Sequence, residues 1–237
     1  MIKRVTFSGI DAWTKAKDIL AVYEKYPFTE FAYLYTESKK AGNRYPQPVI
    51  LKAFKKARIP MAVHICGKAA HEVMKTGDWS PVYESIGQYM DMFERIQINI
   101  PKTSHFSRNV VFPEGKKMII QIHPGTEEMF ECYKTNPSVQ GFQDGSGGHG
   151  ITASEWMPPE TEFFGYAGGI GPENVVETIR KISSVCRTDF WIDMETGIRT
   201  NDKFDVQKCE QVCMPLSKPD LSNEKISPGE KLRAICV

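Results

Sequence analysis

Long apolar runs are missing from this sequence. No stretch approaches the roughly 18–20 residues that a membrane-spanning helix needs. The opening residues, MIKRVTFSGID, have no apolar core of the signal-peptide kind and read at once as a strand. An excess of either charge is missing too: 30 basic and 29 acidic residues leave +1 over 237 residues. That balance offers no electrostatic attraction to nucleic acid or to an anionic bilayer. Internal repeats and low-complexity tracts are also absent. The expectation is a cytoplasmic protein with no nucleic-acid or membrane partner.

Cysteine is present six times, at 66, 132, 186, 209, 213 and 236, but without the grouping that a metal site needs. Cys209 and Cys213 stand four apart in a segment of helical character and in phase with Val206. With no second close Cys or His pair, they read as the buried face of a helix rather than as zinc ligands. Reduced thiols are expected in a chain with no signal peptide.

Hydrophobic residues at 41% and aromatics at 11% suffice for a large core and exclude wholesale disorder. They are distributed as short β-rich runs alternating with amphipathic helical segments. The runs fall at 4–9, 28–35, 59–67, 95–100, 117–123, 139–144, 162–167 and 189–194. Residues 13–26 place Ala16, Ile19, Leu20 and Tyr23 on one helical face. Gly171-Pro172-Glu173-Asn174 predicts a helix start with proline in the first turn, followed by a stripe of Val175, Val176, Ile179 and Ile182. Eight alternations predict a parallel sheet closed into a (β/α)8 TIM barrel over residues 1–216. The connections at 101–115 and 145–160 are weakly helical. The polar, proline-interrupted stretch 217–237 reads as a loosely attached C-terminal extension.

Strand phase locates a site. In the first, third, fourth and fifth runs, apolar residues alternate with Thr6 and Ser8, His64 and Cys66, Gln97 and Asn99, and Gln121 and His123. Active sites of such barrels use the C-terminal strand ends. Ser8, His64, Cys66, Asn99, His123 and Asp144 are therefore expected to line one mouth, although for any one of them alone a polar interior with satisfied hydrogen bonds is the simpler explanation. The turns Ala167-Gly168-Gly169-Ile170 and Glu195-Thr196-Gly197-Ile198 follow the last two strands, where these barrels usually hold a phosphate. His64, Cys66 and His123 would bring imidazole and thiolate together, a donor set that suits zinc, but they come from two strands only. No metal and no cofactor is expected.

The segments GYAGGIGPENVVETIRK (165–181) and WIDMETGIRTNDKFDVQK (191–208) resemble the strand-seven and strand-eight turns of the phosphoribosylanthranilate isomerase family of tryptophan biosynthesis. VTFSGID (5–11), NRYPQ (43–47) and FQDGSGGHG (142–150) are similar to the family's first-strand motif, its Arg-Tyr pair and its strand-six Asp with a Gly-rich loop. The resemblance implies an Amadori rearrangement of a phosphoribosylamine. It places the general acid at Asp144 and phosphate or substrate contacts at Arg44, Gly168, Gly169, Thr196 and Gly197. It places the catalytic base at Ser8, where the family has cysteine.

A serine hydroxyl does not ionise as a thiol does, so His64, His123 or Cys66 would have to take over as base. Three readings follow. The first is an isomerase-like barrel acting on a phosphorylated ribose derivative, with Asp144 as acid and a new base. The second is a non-catalytic barrel that binds or sequesters a phosphosugar or nucleotide. The third is a true anthranilate-pathway isomerase that relies on Ser8. A phosphorylated small molecule is the expected ligand, and a monomer or homodimer the expected assembly.

Overall fold

Strands buried on both faces tolerate apolar residues throughout, and these eight runs are apolar on one face and mixed on the other. In the computed structural model, which describes residues 1–38, 44–101, 105–144, 153 and 155–217, they form β1 (Ile2–Ile10), β2 (Thr29–Tyr35), β3 (Met61–Cys66) and β4 (Phe93–Asn99). Then follow β5 (Lys117–Ile122), β6 (Val139–Asp144), β7 (Phe164–Ala167) and β8 (Phe190–Met194). Each pairs in parallel with the next, and β1 pairs with β8, closing the barrel. The predicted (β/α)8 architecture is the one observed.

Outward-facing residues of every strand, such as Val5, Phe7, Val63, Ile65, Ile96 and Ile98, join one core with the surrounding helices. Those helices are α1 (Ala16–Lys25), α2 (Leu51–Ala57), α3 (Gly67–Thr76), α4 (Ser80–Ile86), α5 (Glu127–Tyr133), α6 (Val175–Val185) and α7 (Val206–Leu216). Cys209 and Cys213 lie on the buried face of α7.

Two expectations about helix starts need correction. The first helix begins at Ala16, not Trp13, because Asp11 and Thr14 form a hydrogen-bonded turn ahead of it. Pro172 is not within α6. It sits in a turn closed by Asn174, whose side chain accepts from Gly171 N–H and donates to the Gly169 carbonyl.

Among the described residues no helix separates β4 from β5 or β6 from β7. Aromatic side chains of these connections pack on the elements beside them. Phe106 and Phe112 pack on Tyr133, and Trp156 meets Tyr166 edge-on with ring centroids 5.8 Å apart. Apart from Ser217, the expected C-terminal extension lies outside the described residues.

The barrel interior is layered. At the N-terminal end, buried Arg95 donates to Glu30, Thr6 and Gln140. Burial alone would raise the Glu30 carboxyl, but Arg95 and then Arg4 outweigh it and hold it below its ordinary value. The Arg95 guanidinium lies 4.1 Å from the Trp191 ring centroid. On the far side Trp191 stacks on Phe142, with centroids 4.8 Å apart and planes within 7°. Gly165 makes this possible, since a Cβ there would stand 2.2 Å from the indole. This aromatic plate is the floor on which the mouth of the barrel is built.

Candidate active site

Above the plate the strand ends enclose a cavity of about 80 Å³. One wall carries Ser8, His64, Gln97 and Asn99 from β1, β3 and β4. Asp144 and Asp193, from the ends of β6 and β8, also line the cavity. The rim is made by Gly168 and Gly169 of the turn after β7 and by Glu195, Thr196 and Gly197 of the turn after β8.

The two turns are fitted to each other. Gly168 and Gly169 have φ of 131° and 59°, a region that disfavours a side chain. A Cβ on Gly197 would stand 2.0 Å from the Ile170 carbonyl oxygen, so only glycine allows the turns to touch.

Asp193 is the most perturbed acid of the site. Ser8 Oγ donates to its Oδ1 at 2.5 Å, and the carboxyl is buried within the electrostatic reach of Glu195 and Asp144. Burial dominates and, with the two neighbouring acids adding to it, pushes this carboxyl up to about 8 despite the Ser8 hydrogen bond and Arg95. Glu195 is raised in the same direction, chiefly by burial, against the pull of Arg44 and Arg199. Asp144 accepts a hydrogen bond from Gln121 Nε2 at 3.3 Å.

The barrel is similar to those of phosphoribosylanthranilate isomerases. The enzyme from Thermotoga maritima superposes with a TM-score of 0.55 at 16% identity, covering 90% of this chain and 97% of its own. The enzyme from Pyrococcus furiosus gives 0.52 at 15%, over 89% and 96%. A phosphoribosylanthranilate isomerase in complex with reduced 1-(o-carboxyphenylamino)-1-deoxyribulose 5-phosphate gives 0.54 at 15%, over 90% and 97%. No family model and no curated protein matches the chain. The likeness is one of fold.

The predicted residues fall into three groups. Ser8, His64, Asp144, Gly168, Gly169, Thr196 and Gly197 all line the cavity. Arg44 stands outside it, held by Asp202 at 2.9 Å and by the rim residue Glu195 at 3.2 Å. His123 is not brought to the cavity. It lies one residue beyond β5, where the chain turns, and its ring nitrogens meet the carbonyls of Ile100 and Pro124. Cys66 lies behind Asn99, whose Nδ2 donates to its sulfur at 3.3 Å. Among the described residues no three His, Cys, Asp or Glu side chains are grouped to hold a metal ion. Asn43 and the Gly-rich loop 145–150, parts of the weaker motifs, lie outside the described residues.

The protonation states of the proposed substitute bases are instructive. Burial pushes the His64 imidazole down to about 3, so the ring is neutral at physiological pH. Burial pushes the Cys66 thiol up to about 12, so it carries no thiolate. Neither is poised to take up a proton near pH 7.

Sequence reasoning missed Asp193, Glu195, Gln97 and Gln121 as site groups. The signal was available: Trp191 and Asp193 share the inward phase of β8, just as Thr6 and Ser8 share that of β1, and Glu195 follows β8 directly. A buried ion pair fixes the turn that follows. Arg199 Nη2 meets Asp11 Oδ2 at 2.9 Å and Arg199 Nη1 meets the Gly9 carbonyl at 2.8 Å, tying the end of β1 to the short hairpin β9 (Arg199–Thr200) and β10 (Lys203–Phe204).

Proposed function

We propose that the protein is an acid/base isomerase acting on a phosphorylated ribose derivative. In this reading Asp144 is the general acid, the Ser8–Asp193 pair supplies the base, and the turns at Gly168-Gly169 and Thr196-Gly197 hold the phosphate. The observation that carries it is the hydrogen bond from Ser8 to Asp193 in the same cavity that Asp144 lines. A proton-transferring group works best when its pKa lies near the working pH, and of the candidate bases only Asp193 meets that condition. Most of it is protonated at pH 7, and the fraction that ionises is a stronger base than an ordinary carboxylate.

The steps balance without a cofactor. Asp144 gives a proton to the ring oxygen of the sugar as its bond to C1 breaks and the nitrogen lone pair forms a C1–N double bond. Asp193 then takes the proton from C2, and those electrons neutralise the iminium, leaving an enol that tautomerises to the ketone. Ser8 keeps its own proton throughout. It orients the carboxyl by donating to one oxygen, leaving the other for C2. The departure from cysteine at position 8 thereby moves the base to a neighbouring strand.

Thermal-shift titration with inorganic phosphate, ribose 5-phosphate and a phosphoribosylated aromatic amine tests the binding half. A ligand at 100 times its Kd adds about 2.7 kcal/mol of stability. Gly169→Asp, which puts a carboxylate where the phosphate is to lie, should abolish the shift. A shift that survives this change places the phosphate elsewhere and sinks the reading. Turnover of the phosphoribosylated amine by wild type and its loss in Asp144→Asn and Asp193→Asn test the chemical half. Binding without turnover in the wild type leaves a barrel that sequesters its ligand.

A further inference from the structure

Two buried polar atoms in the cavity wall have no partner among the described residues: His64 Nε2 and Gln97 Oε1. Both residues are 2% exposed, and both line the cavity. Buried polar groups are nearly always hydrogen-bonded, and each exception asks for a reason. These two stand directly opposite each other on neighbouring strands, β3 and β4, in a register that pairs His64 with Gln97. Their backbones are thus about 5 Å apart, with both side chains on the inward face.

Their orientation is set from behind. Gln97 Nε2 donates to Asn99 Oδ1 at 2.7 Å, and Asn99 Nδ2 donates to Cys66 Sγ at 3.3 Å. The Cys66 thiol in turn gives its proton to the His64 carbonyl at 3.6 Å. This one-way order of donors leaves Gln97 its carbonyl oxygen, an acceptor, for the cavity. His64 is uncharged and offers a single ring nitrogen, donor or acceptor according to tautomer. The pair therefore presents neutral hydrogen-bonding capacity and no charge. An anion would be repelled by the Gln97 oxygen, and an aromatic or aliphatic group would leave both atoms unpaired. A hydroxyl group satisfies both, because it donates and accepts at once.

We propose that His64 and Gln97 form a hydroxyl-recognition pair that reads the polyhydroxyl chain of the ligand and selects a sugar over an apolar group of the same length. The inference rests on the phosphosugar reading for its ligand class and adds the residues that would set specificity. His64 becomes a binding group, not the base.

Calorimetric titration of ribose 5-phosphate against n-pentyl phosphate, which has the same chain length and no hydroxyls, tests it. Wild type should prefer the sugar phosphate by tenfold or more. Gln97→Met and His64→Phe should each bring the two ligands within threefold of one another, with n-pentyl phosphate affinity unchanged within the same margin. His64→Phe removes an unpaired buried atom and Gln97→Met also gives up the hydrogen bond to Asn99, so cooperative thermal unfolding of each variant is the check that it is folded. If the preference survives both changes, the pair is satisfied by water and the proposal is overturned while the phosphosugar reading stands.

If neither phosphate compound binds, the phosphosugar reading falls, and a titration with unphosphorylated ribitol decides the pair separately. In protein labelled with nitrogen-15 in histidine, ribitol should move the His64 Nε2 resonance, and should not do so in Gln97→Met. An unmoved resonance in wild type overturns the proposal on its own, whatever the fate of the variants.

Discussion

Replacing Asp193 with Asn should stabilise the barrel in base and change it little in acid. The Asp193 carboxyl titrates near 8 in the folded protein against 3.8 when free, so over that interval the folded state holds a proton that the unfolded chain has released. Stability from this group is fully present below pH 3.8 and is lost as pH rises through 8. Between pH 5 and the folded pKa the loss runs at 1.36 kcal/mol per pH unit, giving about 4 kcal/mol between pH 5 and pH 9. Relaxation and water entry around an ionised carboxylate reduce this to roughly 2–4 kcal/mol. The amide of Asp193→Asn can still accept the Ser8 hydrogen bond and cannot ionise. Urea unfolding of both proteins at pH 5, 7 and 9 measures the difference, in which every other titrating group cancels to first order. The variant should gain 2–4 kcal/mol on wild type as pH rises from 5 to 9, while losing turnover at every pH. A gap that is the same at pH 5 and pH 9 would mean that Asp193 is ionised throughout, and the assignment of the base would go with it.

Further expectations concern the rim and the floor. Gly197→Ala forces a methyl to within 2.0 Å of the Ile170 carbonyl, so the two turns must separate; a loss of ~1–3 kcal/mol in urea unfolding is expected, together with weaker ribose 5-phosphate binding. Glu30→Gln leaves Arg95 without its carboxylate inside the barrel and should cost ~3–5 kcal/mol, whereas the double change Glu30→Leu, Arg95→Met should cost less than the single one. A double change that costs as much as Glu30→Gln or more would show the ion pair to be a net stabiliser rather than a paired burden.

The architecture was legible because eight β-rich runs separated by amphipathic segments admit few closures, and the gaps at 101–115 and 145–160 lacked helical spacing. Phase was legible as well. Once Val5 and Phe7 are outward, Thr6 and Ser8 must be inward, and the same holds along β3, β4 and β5. It failed at His123 because alternation ends with the strand: β5 stops at Ile122 and the chain turns toward Pro124, so the next side chain need not point where extrapolation puts it. Asp193 was overlooked for a different reason. Its shifted carboxyl arises from burial beside Glu195, Asp144 and Ser8, whose positions in the chain lie as far as 185 residues away. Pro172 misled because a proline suited to a first helical turn serves equally well in the turn that precedes a helix.

The closure of the ring also imposes a schedule on synthesis. β1 needs β8 on its free edge, and the Gly9 carbonyl meets its Arg199 partner 190 residues later. At ribosomal rates of 5–20 residues per second, that edge waits roughly 10–40 seconds after β1 has been made. During that interval an unpaired strand that includes Val5, Phe7 and Ile10 is open to the wrong neighbour, the hazard that exposed edges always carry. The segment carrying Asp193, Gly197 and Arg199 ends that exposure and completes the mouth of the barrel in the same event.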